Sequence, residues 1–312
     1  MKNIFVNIVP IFVVILSIPV SQVFAQADVL QWKFQKGDHF DVTLVQTSKA
    51  ETKVDSRETS IDNSTTIVMA WNVTDVADGG AATIEQSIVS IELAVANPAI
   101  PAQAVKFDTS ATADIVDEYS KSSKTLLKQI KPLIGLKFNV VMLPTGEIKS
   151  IELPPETATA INQLPETVRL RSLFSAKGIK EILGASAIIL PTKSLDQGDS
   201  WTDEKEVATA FGKFNRNRTY SLVGKKTVDG DELAEIRIDA AMVPVSEAAA
   251  PGSALQGKLV SFSGSGNLYV DIENGFMKTS SFSNKLKTER PYREKQIETV
   301  VTNTIKMTLT KK

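Results

Sequence analysis

His39 is the only histidine in the chain, and Asp38 stands beside it. Such a pair could move protons for a nucleophile held nearby. The pattern that would present a serine is missing. No Gly-x-Ser-x-Gly turn occurs, and Ser263-Gly264-Ser265-Gly266 does not match one. The second half of the chain carries Ser200 after the same Gly-Asp that precedes His39. We therefore read this position as a surface site at a strand start. Cysteine is absent, which excludes a thiol nucleophile, a zinc-thiolate centre, a disulfide scaffold and a lipidated N-terminal cysteine. With one histidine, three-histidine metal sites and His-Glu-x-x-His proteases are excluded as well.

Carboxylates give a weaker exclusion. Asp75, Asp78, Asp229 and Asp231 fall in hairpin turns, and no stretch has the spacing of a twelve-residue calcium loop with its closing glutamate. A glycosidase pair needs only proximity in space, so spacing leaves it open. Sugar sites usually stack the ring on aromatics, however, and aromatics are 6% of this chain. We assign Trp32, Trp71 and Trp201 to the core or to anchoring a repeat. No glycine-rich phosphate cradle or dinucleotide fingerprint is present. The expectation is a protein that is not an enzyme and uses no cofactor and no metal.

What remains is apolar chemistry. Ile130, Leu133 and Ile134 close one helical segment, and Phe174, Ile179, Ile182 and Leu183 stripe another. Helices with isolated apolar stripes must pack on a sheet face. Either these seven side chains complete the core, or they line a concavity that takes a lipid or another hydrophobic molecule. The alternative is a structural or protein-interaction role in the cell envelope. There the strand Thr299 to Thr310, guarded by Lys311 and Lys312, would offer an edge to a partner protein.

The elements that must position these residues are mostly strands. Ala234-Glu235-Ile236-Arg237-Ile238-Asp239-Ala240 alternates apolar and charged, as a strand with one dry face does. Ile67, Met69, Trp71 and Val73 form a second such row. Val89, Ile91, Leu93 and Val95 form a third, Leu268, Val270 and Ile272 a fourth, and Ile305, Met307 and Leu309 a fifth. Turns are marked by Asp78-Gly79-Gly80, Thr145-Gly146, Asp229-Gly230 and Asn274-Gly275. The fold class is mainly β (α+β): a large curved antiparallel sheet with a few helices packed on one face. The order Gly-Asp-x-aromatic, hairpin, second hairpin occurs twice, which predicts two pseudo-repeated meanders. They span about 28–153 and 192–312 of a single body at 26–312, with a helical connector at about 154–191. One helix is expected from about Thr112 to Lys131, where Pro132 ends it, and helical structure again from Glu166 to about Ala187.

Composition agrees. Basic and acidic residues number 35 and 36, so no excess of positive charge points to nucleic acid. The basic run Lys285, Lys287, Arg290, Arg293 and Lys295 is interleaved with Glu289 and Glu294 and reads as a solvated face. Residues 1–25 resemble a cleavable signal peptide. Lys2 precedes an apolar run from Ile4 to Val20, and Val23 and Ala25 occupy the cleavage positions. The expected product is exported to the periplasm or beyond, with no transmembrane segment after cleavage.

The chain resembles an uncharacterised family of secreted bacterial proteins, a domain of unknown function. The resemblance lies in Lys36-Gly37-Asp38-His39-Phe40, Phe107-Asp108-Thr109-Ser110, Phe138-Asn139-Val140-Val141-Met142-Leu143-Pro144-Thr145-Gly146 and Gln197-Gly198-Asp199-Ser200-Trp201. It implies no catalytic residue. More distantly, the expected sheet with its helices is similar to periplasmic lipoprotein-carrier half-barrels, which hold acyl chains. That similarity implies a fold and does not fix a function.

Overall fold

The computed structural model describes residues 29–101, 104–163, 175–180, 188–209, 211–228, 230–245, 257–292 and 295–312. The segment expected to be a signal peptide lies outside them. Twelve strands are present: β1 (His39–Val54), β2 (Arg57–Val76), β3 (Ala82–Ala96), β4 (Val105–Asp108), β5 (Lys137–Met142), β6 (Ile148–Glu152), β7 (Ser200–Thr209), β8 (Gly212–Val228), β9 (Asp231–Pro244), β10 (Lys258–Asp271), β11 (Phe276–Tyr292) and β12 (Lys295–Lys311). Among the described residues are the helices α1 (Ala113–Glu118), α2 (Lys121–Ile130) and α3 (Pro155–Asn162), with a 3-10 turn at Lys131–Leu133, and residues 176–180 are helical too.

All twelve strands join one antiparallel sheet in the order β6-β5-β3-β2-β1-β12-β11-β10-β9-β8-β7, with β4 pairing the far end of β3. The sheet expected to be curved is found open. Its strand order is linear, and the outermost strands β6 and β7 do not meet. Consecutive strands pair on either side of a central seam where β12 lies between β1 and β11. This overturns the expectation that Thr299 to Thr310 is an edge. Period-two patterning marks a strand but carries no information about its neighbours.

The turns follow their residues. Gly37 and Gly198, each just ahead of the first strand of its meander, have φ of 90° and 93°. Each N–H donates to a carbonyl on the second strand, Val73 O at 2.8 Å and Leu222 O at 2.8 Å. The carboxylates behind them cap the same turn, Gln35 N donating to Asp38 and Asp196 N to Asp199. β2 and β8 are bulged at the matching place, between Val73 and Asp75 and between Leu222 and Gly224.

One face of the sheet is dry near these turns. Phe40, Val42 and Leu44 of β1, Ile67, Met69, Trp71 and Val73 of β2, and Leu268 and Val270 of β10 join a single apolar cluster. Leu127, Ile130, Leu133 and Ile161 of the helical segments belong to it too. The segment ahead of β1 is part of the cluster through Leu30, Trp32 and Phe34. Trp32 N donates to Pro144 O in the β5–β6 turn and Lys33 N to Gly275 O in the β10–β11 turn.

Two local expectations are corrected. Val89 leaves its predicted apolar row and is 49% exposed, while Ile88 and Ile91 are buried. A bulge opposite Val68 and Met69 inserts the extra residue and switches the dry face from even to odd positions. The single helix expected over Thr112 to Lys131 is two helices. Ser120 stops α1 and caps α2, its hydroxyl accepting from Ser123 N at 3.2 Å, the usual preference of serine for an N-cap. Tyr119 turns away from the axis, and its hydroxyl accepts from Asp108 N at 3.1 Å. α3 lies in the segment read as a helical connector, ahead of the helical structure expected from Glu166. Pro155 sits at its first turn, where a missing N–H costs nothing.

Candidate ligand-binding face

The dry face runs on past the apolar cluster toward the far ends of the strands. There the rungs alternate in character. Gly264, Asn284, Asn303, Ser48 and Asn63 make a polar rung across β10, β11, β12, β1 and β2. The next rung outward is apolar throughout: Phe262, Leu286, Val301, Ala50 and Ile61. Phe262, Leu286, Val301 and Ala50 are half-buried and Ile61 is 46% exposed. Met242 of β9, also half-buried, carries the same face one strand further, where it pairs with Arg216 of β8.

Arg216 begins a cationic patch. β8 presents Phe214, Arg216, Arg218, Tyr220 and Leu222 to this face, and β7 presents Trp201, Asp203 and Lys205. Arg216 Nη2 donates to Asp203 Oδ2 at 3.1 Å. Arg218 is 7% exposed and lies over the Phe282 ring at 5.6 Å from its centroid. Such a cation–π contact gains strength when desolvated. Gly264 makes it possible, because a Cβ there would stand 2.5 Å from Phe282 Cζ. Tyr220 stacks on Trp201 with ring centroids 5.4 Å apart, and Trp201 Nε1 donates to Ile189 O.

Asp203 pairs with Arg216 on this face, and Lys205 adds an exposed cation on the rung of Arg216. Burial, and then the neighbouring Arg218, pushes the Arg216 guanidinium below its usual value. Among the described residues, buried Arg216 Nε has no hydrogen-bond acceptor. Burial pushes the Tyr220 phenol up, against the pull of Arg218.

Two other places hold polar groups. Gln86 is fully buried between Trp71 and Phe138 in the ladder. Neither atom of its amide has a partner among the described residues, nor does Trp71 Nε1. On the opposite, wet face a cleft of about 480 Å³ lies by the β1–β2 hairpin, lined by Glu51, Lys53, Glu58, Lys285 and Glu298 among others. Its charges pair locally, Lys53 with Glu58 at 3.4 Å and Glu51 with Lys49 at 2.7 Å. These are exposed pairs of the kind that contribute little.

Of the seven residues the sequence singled out, Ile130, Leu133 and Ile179 are buried in the apolar cluster, and Ile134 packs against it. Phe174, Ile182 and Leu183 lie outside the described residues. Arg216, Arg218, Asp203 and the apolar rung were missed. A signal for them exists in Phe214-Asn-Arg-Asn-Arg-Thr-Tyr220, where the period that buries Phe214 and Tyr220 puts both arginines on the dry face. His39 is exposed at the start of β1. Trp32 and Trp71 are buried.

No helix among the described residues is long and apolar enough to cross a membrane. A family model described as "Family of unknown function (DUF6263)" matches residues 95–277. No curated protein matches the chain. Among solved structures, a lipovitellin chain, from a study of its lipid–protein interactions, is 11% identical with a TM-score of 0.48. The match covers 89% of this chain and 25% of that one, so this chain spans a quarter of the lipovitellin length. An outer membrane channel from Pseudomonas putida F1 is 7% identical over 92% of this chain and 98% of its own, with a TM-score of 0.23. A DUF1329 family protein from Desulfovibrio piger is 9% identical over 84% and 83%, with a TM-score of 0.13. Likenesses of this size carry nothing about function.

Proposed function

The chain belongs to the DUF6263 family of unknown function, and we propose that it is a non-enzymatic binding module for a hydrophobic molecule or lipid, working outside the cytoplasm. One observation carries the reading. The apolar rung Phe262, Leu286, Val301, Ala50 and Ile61 crosses five neighbouring strands without being buried. A contiguous apolar strip on a folded surface marks a place that something else covers. A strand face that only had to be wet would carry the Thr, Lys and Glu of the opposite side. The helical side chains Ile130, Leu133, Ile134 and Ile179, in or against the apolar cluster, border the same face in this reading.

The two meanders are read here as a pseudo-repeat, supported by the shared Gly-Asp turn and the matching bulge. Export is supported by the character of residues 1–25.

Native mass spectrometry of the protein isolated from the envelope or medium tests the function. The expected spectrum shows a lipid-sized adduct that dissociates at raised collision energy. A clean apo mass, together with no response of a fluorescent fatty acid, would sink the reading.

A further inference from the structure

We propose that the ligand is an uncharged acyl lipid, an ester or amide whose chain lies along the apolar rung and whose carbonyl is held by Asn284. The inference deepens the binding function above and rests on it. Three successive rungs carry it: the polar rung of Asn284 and Asn303, the apolar rung of Leu286 and Val301, and a hydroxyl rung with Thr299 and Thr52. From β10 to β2 none of the three bears a charged side chain. The opposite face of the same strands is dense with charge, with Lys49, Glu51, Lys53, Lys285, Lys287 and Glu298 at the intervening positions. One face is thus matched to water and ions, the other to a neutral and mostly apolar cover. At β8 the strip ends on an ion pair, Arg216 with Asp203 at 3.1 Å. Size sets the occupant. Four strand steps of about 4.8 Å and four residues of about 3.4 Å give a patch of roughly 19 by 14 Å. Two copies meeting there would bury on the order of 500 Å², short of the roughly 1,200 Å² of a stable interface. A lipid chain laid along the rung covers it. The polar rung supplies the grip. Asn303 Nδ2 donates to Asn284 Oδ1 at 3.1 Å, which holds the Asn284 amide and leaves its own N–H donors for a carbonyl. Both residues are half-buried, and Asn284 Nδ2 is not sealed from solvent.

The test uses the full-length protein with three fluorescent probes: methyl cis-parinarate, the ionised cis-parinaric acid, and diphenylhexatriene, a polyene with no hydrogen-bonding group. Asn284→Leu and Val301→Lys are compared with the unaltered protein, and thermal melting of each shows that it is folded. The expected result is the ester binding at least about ten-fold tighter than the acid, whose carboxylate would lose water on a face that offers it no cation. That ratio is read on the unaltered protein and depends on no variant. Asn284→Leu weakens the ester roughly five-fold, the worth of one neutral hydrogen bond, and leaves diphenylhexatriene unchanged. Val301→Lys weakens both. Acid binding as tight as the ester, or tighter, would overturn the uncharged class while the hydrophobic site stood. An unchanged ester affinity in Asn284→Leu would overturn the carbonyl assignment, and unchanged binding of every probe in Val301→Lys would overturn the place. Light scattering that shows a dimer, dissociated by Val301→Lys, would overturn the lipid in favour of a second copy of the chain. If none of the probes binds, the proposed function fails with it.

Discussion

Gly37 and Gly198 hold the same backbone conformation, φ 90° and 93°, and each donates its N–H across to the second strand of its own meander. Nothing lies within 4 Å of where a Cβ would sit at either position. The glycine is therefore required by the torsion alone. Gly37→Ala and Gly198→Ala should each destabilise the protein by about 1–2 kcal/mol. Urea unfolding checks this, and the two losses should be alike. A neutral result at one site would show that its turn relaxes.

Gln86 gives the opposite expectation. Its amide is fully buried, with both atoms unsatisfied among the described residues. A buried polar group in that state costs about 1–3 kcal/mol. Gln86→Met, of similar volume, should raise the urea midpoint without changing the slope. A lowered midpoint would mean the amide is satisfied in solution.

Removal of β12 should be fatal to the fold. Its ladder runs with β1 from Phe40–Lys311 to Val54–Ile297 and with β11 over most of its length. A chain ending at Glu298 should show no cooperative thermal transition. A milder probe is Thr304→Pro, in the middle of both ladders, which should cost at least about 3 kcal/mol. A truncated chain that still melts cooperatively would contradict the central position of this strand.

The phenol of Tyr220 sets an alkaline limit. Burial holds its pKa above the ordinary value, more strongly than Arg218 lowers it. The folded state thus keeps the proton to higher pH than the unfolded chain does. This contribution is fully present below the ordinary tyrosine value, about 10. It is lost as pH rises through the raised folded value. In Tyr220→Phe, stability should fall less steeply with pH in the alkaline range. Parallel alkaline slopes in the two proteins would argue against a titrating Tyr220.

Strand existence was legible because alternation survives in sequence. Ile236, Ile238 and Ala240 were placed on a dry face and are buried. Strand partnership was not, because β1 and β12 are joined by contacts that leave no local trace. The bulge at Val89 was invisible for a related reason, since an extra residue shifts a row only when its partner strand is known. The helix break at Ser120 was legible in principle from the serine, but a stripe including Ile115, which is 46% exposed, outweighed it. At the candidate face, the helical stripes look unpartnered in the sequence, whereas the spacing of Arg216 and Arg218 with Phe214 and Tyr220 sets both arginines beside apolar residues.

The pairing of β1 with β12 also governs when the molecule can become itself. Phe40 waits for Lys311, so the left and right portions of the sheet cannot be stitched together until β12 has been synthesised. Contacts this distant along the chain fold slowly, and the exposed strand borders in the interim invite aggregation or capture by a holdase.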